Sequence, residues 1–171
     1  MKEEFDIYGV DFHRRGKITD ESIEVLRKLW CGDMVEHHGE HFNFPRVQLS
    51  PAPKKFPPIY IGGASEIALR RAARCGDGYI GAGTAPDAVA PLLQRLDKLR
   101  QEYGRDQLPF EAMLGVTAMP DRDLFLRLQD DGLQSTVAPP FQYALGKKKS
   151  SLDEKKRFME HFSETIIRRM R

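Results

Sequence analysis

The sequence predicts an α/β fold of about four βα units, preceded by one helix and a long loop. Three observations support this prediction. Short apolar runs end at glycine, the stretches between them have apolar residues three and four positions apart, and no hairpin signal separates the strands. Strands that alternate with helices pair in parallel through right-handed crossovers. Such units fit either a small open doubly wound sheet or half of a (βα)8 barrel, which usually has about 250 residues.

The first helix and the long loop occupy the first third of the chain. Apolar residues recur on one helical face over residues 19–30, Thr19 or Asp20 can cap the start, and Gly32 can end the helix. Residues 33–57 contain four prolines and alternating phenylalanines. This composition predicts a loop with room for a short hairpin.

The βα units follow in order after this loop. The four predicted strands are short apolar runs, and they cover residues 58–61, 78–81, about 110–119 and 135–138. Each is followed by a residue or pair that can start a helix: Ser65, Pro86, Asp121, and the capping box that runs from Ser151 to Glu154. The second predicted helix, over residues 65–74, has a small apolar face formed by Ile67, Ala68, Ala72 and Cys75. Pro91 removes a backbone donor, so the helix around it is expected to start late or to kink.

Two successive strands end in glycine-rich turns that lead into helices. The first turn is Gly62, Gly63, Ala64 and Ser65, and the second is Gly81, Ala82, Gly83 and Thr84. Ligands bind at the carboxyl ends of parallel strands in both candidate folds. Glycine lets the backbone approach a bound group, and a helix N-terminus offers free N–H groups and a partial positive charge. Neighbouring strands would place both turns around one oxyanion, so the pattern predicts a phosphate site.

A purely structural interpretation of these turns stays open at this point. The glycines then serve only to make tight βα turns, and Ser65 and Thr84 serve only to cap helices. Neither turn matches the dinucleotide fingerprint G-x-G-x-x-G or the P-loop. The occurrence of two such turns in succession favours the phosphate site.

Several short segments along nearly the whole chain carry a family resemblance through their order and spacing. They are Glu3-Glu4-Phe5 with Gly9, Arg15-Gly16, Asp20-Glu21, Leu26-Arg27-Lys28-Leu29-Trp30, Pro51-Ala52-Pro53, Pro57-Pro58-Ile59-Tyr60-Ile61-Gly62-Gly63, Ala68-Leu69-Arg70-Arg71-Ala72-Ala73, Gly76-Asp77-Gly78-Tyr79 and Gly104-Arg105-Asp106. In this order they resemble the luciferase-like monooxygenase and deazaflavin (coenzyme F-420)-dependent oxidoreductase superfamily.

The resemblance implies a partial TIM (βα)8 barrel, the C-terminal half, as a single domain over residues 1–171. It also implies a flavin- or deazaflavin-dependent oxidoreductase with a small-molecule substrate, and FMN or the deazaflavin as cofactor. The segments around Pro57–Gly63 and Asp77–Tyr79 are most similar to the deazaflavin branch. In such proteins the phosphate of the cofactor lies at the two turns described above.

The resemblance also implies what is missing. Family members begin with about four more βα units, and the residues that flank the cofactor ring and transfer protons lie largely there. No catalytic residue is therefore assigned in this chain, and retention of the cofactor stays open. The alternative is a non-catalytic half-barrel that binds a phosphorylated ligand or serves as an assembly subunit.

Composition restricts the partners and the compartment. The net charge of +2 is small and the basic residues are dispersed, which argues against nucleic acid, and no apolar run reaches the roughly 20 residues of a membrane span. The isolated Cys31 and Cys75 indicate a reduced, cytoplasmic protein. His37, His38 and His41 do not have the spacing of a metal site, and no metal is expected. The open edges of a half-barrel sheet predict a homodimer or higher homo-oligomer.

Overall fold

The computed structural model describes residues 1–137 and 141–170, which fall into two compact units, Met1–Pro57 and Pro58–Arg171. Each unit is described by itself. The single domain expected over residues 1–171 stays a prediction. Within the described ranges, no helix is both long and apolar enough to cross a membrane.

The amino-terminal unit contains two helices and a hairpin. Helix α1 is Lys2–Ile7, and helix α2 is Arg15–Trp30, directly after a 3₁₀ turn at Phe12–Arg14. Strand β1, Val35–His38, pairs antiparallel with strand β2, Asn43–Val47, so the hairpin predicted inside the loop is confirmed.

Helix α2 begins four residues before the predicted start. Its N-cap residue is Arg14, whose side chain makes no capping bond. The Asp11 carboxylate caps the 3₁₀ turn before it, by accepting a hydrogen bond from the His13 amide at 2.8 Å. The Thr19 hydroxyl instead donates to the Arg15 carbonyl at 2.8 Å, as a threonine inside a helix does. The prediction that Thr19 or Asp20 caps this helix is therefore wrong, whereas the end before Gly32 is confirmed.

The carboxy-terminal unit contains the βα units. Its strands are β3, Tyr60–Gly62; β4, Gly78–Thr84; β5, Glu111–Val116; and β6, Ser135–Thr136. Its helices are α3, Glu66–Cys75; α4, Val89–Glu102; α5, Arg122–Asp130; α6, Phe141–Ala144; and α7, Leu152–Thr165. The four strands form one parallel sheet in the order β3-β4-β5-β6, which confirms the predicted βα alternation.

Strand ends and helix starts mostly follow the predictions. The hydroxyl or carboxylate oxygens of Ser65, Asp121 and Ser151 cap α3, α5 and α7, as expected. Helix α4 starts at Val89, so Pro91 lies in its first turn, where no backbone donor is needed, and the late start is confirmed. Residues 138–140, which include the end of the predicted fourth strand and its prolines, lie outside the described residues. Helix α6 lies between the predicted fourth strand and the capping box at Ser151, where no helix was predicted.

The buried core of this unit lies between the sheet and its helices. Ile61, Tyr79 and Leu114 project from three neighbouring strands and are almost fully buried. Helix α3 contributes Ala68, Leu69, Ala72 and Ala73 to the core. The predicted face is thus wrong at Ile67, which is 70% exposed. Because residues 67 and 69 lie about 200° apart around a helix, burying Leu69 turns Ile67 to the outside.

Candidate functional site

The carboxyl ends of β3 and β4 lie side by side, because the two strands are parallel neighbours. Gly62, the last residue of β3, pairs with Ile80. Strand β4 continues beyond this point to Thr84, and its β3 side has no strand partner there among the described residues. The structure therefore brings the two predicted glycine-rich segments to the same edge of the sheet.

The first segment forms an open turn before α3. Gly63 has a φ of +114°, which favours glycine, and a Cβ there would lie 3.0 Å from the Ala68 Cβ. The Ser65 hydroxyl oxygen accepts a hydrogen bond from the Ala68 amide at 3.3 Å and so caps the helix. Within the described chain, no group accepts a hydrogen bond from the amides of Gly63, Ala64 or Ser65. These exposed amides are available to an external anion.

The second segment differs from the prediction because β4 includes it. Gly81, Ala82 and Thr84 pair with β5 rather than forming a turn after the strand. Gly83, with a φ of +71°, is the extra residue of a bulge between Ala82 and Thr84, so it has no partner in the register.

Thr84 also has a role that the sequence did not indicate. It does not cap the following helical segment, whose N-cap is Ala85. Its carbonyl instead accepts the Thr117 amide at 2.9 Å, extending the pairing toward β5. Fewer backbone groups of the second segment than predicted are therefore without a partner in the sheet, and they centre on Gly83.

A buried tyrosine joins the two strand ends. The Tyr79 hydroxyl donates to the Gly63 carbonyl at 3.1 Å, so a side chain from the second residue of β4 holds the turn after β3. Tyr79 is 2% exposed, and burial raises the pKa of its phenol above the usual value. At neutral pH the hydroxyl therefore keeps the proton that it donates.

A second polar group lies on the sheet face away from the core, near the amino ends of the strands. The Glu111 carboxylate accepts hydrogen bonds from the hydroxyls of Tyr60 and Ser135, which come from β3 and β6. The side chain of Tyr60 crosses β4 at Gly78, where a Cβ would lie 2.5 Å from the tyrosine ring. Sequence analysis missed this cluster because its members come from three separate strands and match no local motif.

These bonds shift the ionisation of the cluster. Hydrogen bonds from Ser135 and Tyr60 hold the pKa of Glu111 below its usual value. The bond to Glu111, together with burial, raises the pKa of Tyr60. At neutral pH the group is therefore a carboxylate held by two hydroxyls.

The histidines of the hairpin serve its structure. The Glu21 carboxylate of α2 contacts the His37 ring at 3.0 Å and accepts the amides of His41 and Phe42 at 2.9 and 2.8 Å. Burial opposes the ionisation of Glu21, but the bonds from Phe42, His37 and His41 outweigh it and lower its pKa. Across the part of the chain that the structure describes, no three His, Cys, Asp or Glu residues are grouped to hold a metal ion.

Comparison with protein families identifies the family of this chain. A family model described as luciferase-like monooxygenase matches residues 1–155. The chain belongs to this family. An uncharacterized protein of Mycobacterium tuberculosis is 38% identical over 170 residues, which cover 96% of this chain and 57% of the relative. An F420-dependent glucose-6-phosphate dehydrogenase of Segniliparus rotundus is 27% identical over 134 residues, or 75% of this chain and 39% of that protein.

Solved structures agree with this luciferase-like assignment at the level of the fold. An F420-dependent secondary alcohol dehydrogenase, in complex with an F420-acetone adduct, matches with a TM-score of 0.55 and 21% identity, over 90% of this chain and 54% of that one. The coenzyme F420 dependent tetrahydromethanopterin reductase from Methanopyrus kandleri matches with a TM-score of 0.56 and 16% identity, over 72% of this chain and 41% of that one. The predicted fold class, an α/β partial barrel of the luciferase-like type, is confirmed. The chain spans 57% of the length of the Mycobacterium tuberculosis relative and 39% of the length of the Segniliparus rotundus relative.

Proposed function

We propose that this luciferase-like chain supplies the phosphate-binding part of a flavin- or deazaflavin-dependent oxidoreductase. The cofactor phosphate lies between the turn at Gly62, Gly63, Ala64 and Ser65 and the strand end at Gly81, Ala82, Gly83 and Thr84. The observation that carries the proposal is the set of unused amides at Gly63–Ser65, at the N-terminus of α3 and beside the bulge at Gly83. Free amides and the helix dipole both favour a bound dianion.

The local surroundings fit a phosphate. Among the described residues, apart from its chain neighbours, no atom lies within 4 Å of the position that a Cβ would take at Gly83, and at Gly62 the closest contact of a Cβ would be an ordinary 3.5 Å to Ile80. The protein itself therefore leaves room for a ligand close to the backbone. Glu66, the acidic residue nearest to the turn, is neutralised by ion pairs with Arg95 and Arg70, and Arg95 contributes most to lowering its pKa.

FMN bound there would supply hydride or oxygen chemistry, and the deazaflavin would supply hydride transfer. Our proposal favours the deazaflavin, because relatives and structural neighbours are described as F420-dependent and the segments at Pro57–Gly63 and Asp77–Tyr79 resemble that branch. The substrate is a small molecule. A reducing cytoplasm suits the thiols of Cys31 and Cys75, which form no disulfide among the described residues.

A pair of glycine variants tests the phosphate site. Gly63→Ala puts a methyl group into a crowded left-handed position of the turn, whereas Gly104→Ala imposes a similar backbone strain, at φ +63° with nothing within 4 Å, away from the site. Binding of FMN and of coenzyme F-420 is followed by fluorescence titration and by the shift in melting temperature. We expect Gly63→Ala to weaken binding at least tenfold and Gly104→Ala to leave it within twofold. Equal binding by the two variants would refute the proposed site.

A second candidate function rests on the same unused amides at Gly63–Ser65, which suit any phosphorylated ligand. A half-barrel without assigned catalytic residues would bind a phosphorylated ligand or serve as an assembly subunit. Inorganic phosphate and glucose 6-phosphate are the probes for the first case. A protein that gains thermal stability from these compounds but from neither cofactor would replace the oxidoreductase with this alternative.

A further inference from the structure

The sheet of the carboxy-terminal unit has two unpaired edges. Among the described strands of this unit, β3 pairs only with β4, and β6 pairs only with β5. All four strands run in the same direction. Unpaired edge strands leave rows of free amides and carbonyls, which readily take another strand.

One face of the same sheet is also uncovered. Side chains alternate along each strand, and those on the helix side are buried, such as Ile61, Tyr79 and Leu114. On the opposite face Gly62, Ile80 and Ala82 are exposed, and Ile80 is 42% exposed in the middle of the sheet. A parallel sheet is normally covered on both faces, because its strands are apolar on both sides.

The exposed area is large for the mass. Two separate compact proteins, each as long as one of the two units, would together have a solvent-accessible surface of about 10,000 Å². The chain exposes 11727 Å². The excess of roughly 1,500 Å² belongs to the whole chain, the open face of the sheet included, and it is larger than the ~800 Å² that each partner buries in an interface of standard size.

We propose that a second copy of this chain covers the open face and closes an eight-stranded barrel. Four parallel strands are half of the eight in a TIM barrel. A two-fold axis along the barrel places β6 of each copy beside β3 of the other, in parallel, and both pairs of open edges disappear. The net charge of +2 per chain opposes this association only weakly. The Glu111 carboxylate enters the closed interior with both oxygens already bonded to Tyr60 and Ser135, so it does not prevent closure.

Mass measurement tests the association. Size-exclusion chromatography with light scattering, over about 1–100 μM protein, is expected to give about twice the chain mass of 19.6 kDa. Ile80→Arg places a cation on the proposed interface and is expected to weaken dimerisation at least 100-fold. Met159→Arg is the matched control, since Met159 is 59% exposed on α7, and it is expected to dimerise like the natural chain.

The outcomes of this measurement are distinct. A monomer at all concentrations, or equal dimerisation of the Ile80→Arg and Met159→Arg variants, would overturn the proposal. If Ile80→Arg does not fold, as judged by circular dichroism, Ile80→Gln serves instead, with at least a tenfold weakening expected. Equal dimerisation of Ile80→Gln and the natural chain would overturn the proposal as well.

Cross-linking distinguishes barrel closure from edge-to-edge pairing. In a background in which Cys31 and Cys75 are serine, Gly62→Cys labels the end of β3 and Val137→Cys labels the end of β6. A short bis-maleimide is expected to link the two variants when they are mixed, because closure brings β3 of one copy to β6 of the other. Linkage of Gly62→Cys to itself, without the mixed product, would show β3–β3 pairing and would overturn the closed barrel.

Discussion

The Tyr79 hydroxyl donates a hydrogen bond of 3.1 Å to the Gly63 carbonyl, so the core side of β4 holds the turn that begins the candidate phosphate site. Gly63 has a φ of +114°, which glycine adopts readily and residues with a side chain rarely adopt. The bond thus connects the packing of the sheet with the conformation of the three free amides at Gly63–Ser65.

Tyr79→Phe removes this bond and leaves the ring in place. We expect the free energy of unfolding to fall by about 0.5–1.5 kcal/mol, because one neutral hydrogen bond is lost and water can reach the exposed turn. We also expect weaker binding of FMN or coenzyme F-420, because the turn becomes less ordered. Urea unfolding and fluorescence titration measure the two effects, and Tyr143→Phe, at a 68% exposed tyrosine on the surface, is the control. Unchanged stability and binding would show that the bond does not hold the turn.

The sequence predicted features that depend on neighbouring residues. Ser65, Asp121 and Ser151 cap helices because a hydroxyl or carboxylate three positions before a free amide reaches it in almost any context. The alternation of strands and helices was likewise predicted from short stretches of neighbouring residues. These signals placed both glycine-rich segments at the carboxyl ends of adjacent strands.

The features that the sequence did not predict depend on pairing between distant segments. The sequence of Gly81–Thr84 predicts a turn. In the structure this segment pairs with β5 as far as Val116, so β4 continues through it, with Gly83 as a bulge. The Tyr60–Glu111 bond joins residues 51 positions apart. Neither is encoded in a local pattern, so only the folded sheet reveals them.

Gly39→Ala tests the anchor between α2 and the hairpin. A Cβ at Gly39 would lie 1.9 Å from Glu21 Oε1 and 2.5 Å from His37 Nε2, so the carboxylate has to move away. Overpacking of this kind costs about 1–3 kcal/mol.

The hydrogen bonds of His37 define its tautomer. Lys28 Nζ contacts His37 Nδ1 at 3.2 Å, and an ammonium only donates, so the ring proton lies on Nε2 and is donated to Glu21.

Nuclear magnetic resonance of the imidazole protons measures this effect directly. We expect a slowly exchanging His37 Nε2 proton in the natural chain and its loss in Gly39→Ala. Gly9→Ala is the control, because it has a φ of +66° and nothing within 4 Å, and it should keep the signal. A signal that survives Gly39→Ala would show that the carboxylate and the ring adjust without separating.

Glu154→Gln tests how the start of α7 depends on pH. Lys147 and then Ser151 lower the pKa of Glu154 from 4.5 to about 2. Because the folded pKa is lower than the unfolded one, the stabilisation is present above about pH 4.5 and is lost as the pH falls toward 2. Thermal melts followed by circular dichroism should show a lower melting temperature for Glu154→Gln at pH 6 and no difference at pH 2. Glu160→Gln, at an exposed position of the same helix, should match the natural chain at both values.

Arg100→Leu tests the clamp, by which we mean the hydrogen bonds from Arg100 that hold the loop before β5. Arg100 is 8% exposed, donates to the carbonyls of Arg105, at 2.7 Å, and of Leu108, and lies 4.6 Å from the Phe110 ring centroid. Leucine keeps much of the apolar packing but cannot bond to either carbonyl. We expect a loss of about 3 kcal/mol in the free energy of unfolding, the lower end for two charged hydrogen bonds, because Arg105 and Leu108 are themselves partly exposed.

The same measurement separates the clamp from a general effect of the added apolar side chain. Lys98→Leu changes an exposed residue of α4 in the same way and should alter the free energy by less than about 0.5 kcal/mol. Arg100→Lys keeps the charge but has no planar fork to reach both carbonyls at once, so its loss should be intermediate. Hydrogen exchange should then quicken at the start of β5 in Arg100→Leu. Equal unfolding free energies for Arg100→Leu and Lys98→Leu would mean that the loop is held by its own backbone bonds, such as that from the Leu108 amide to the Arg105 carbonyl at 3.1 Å.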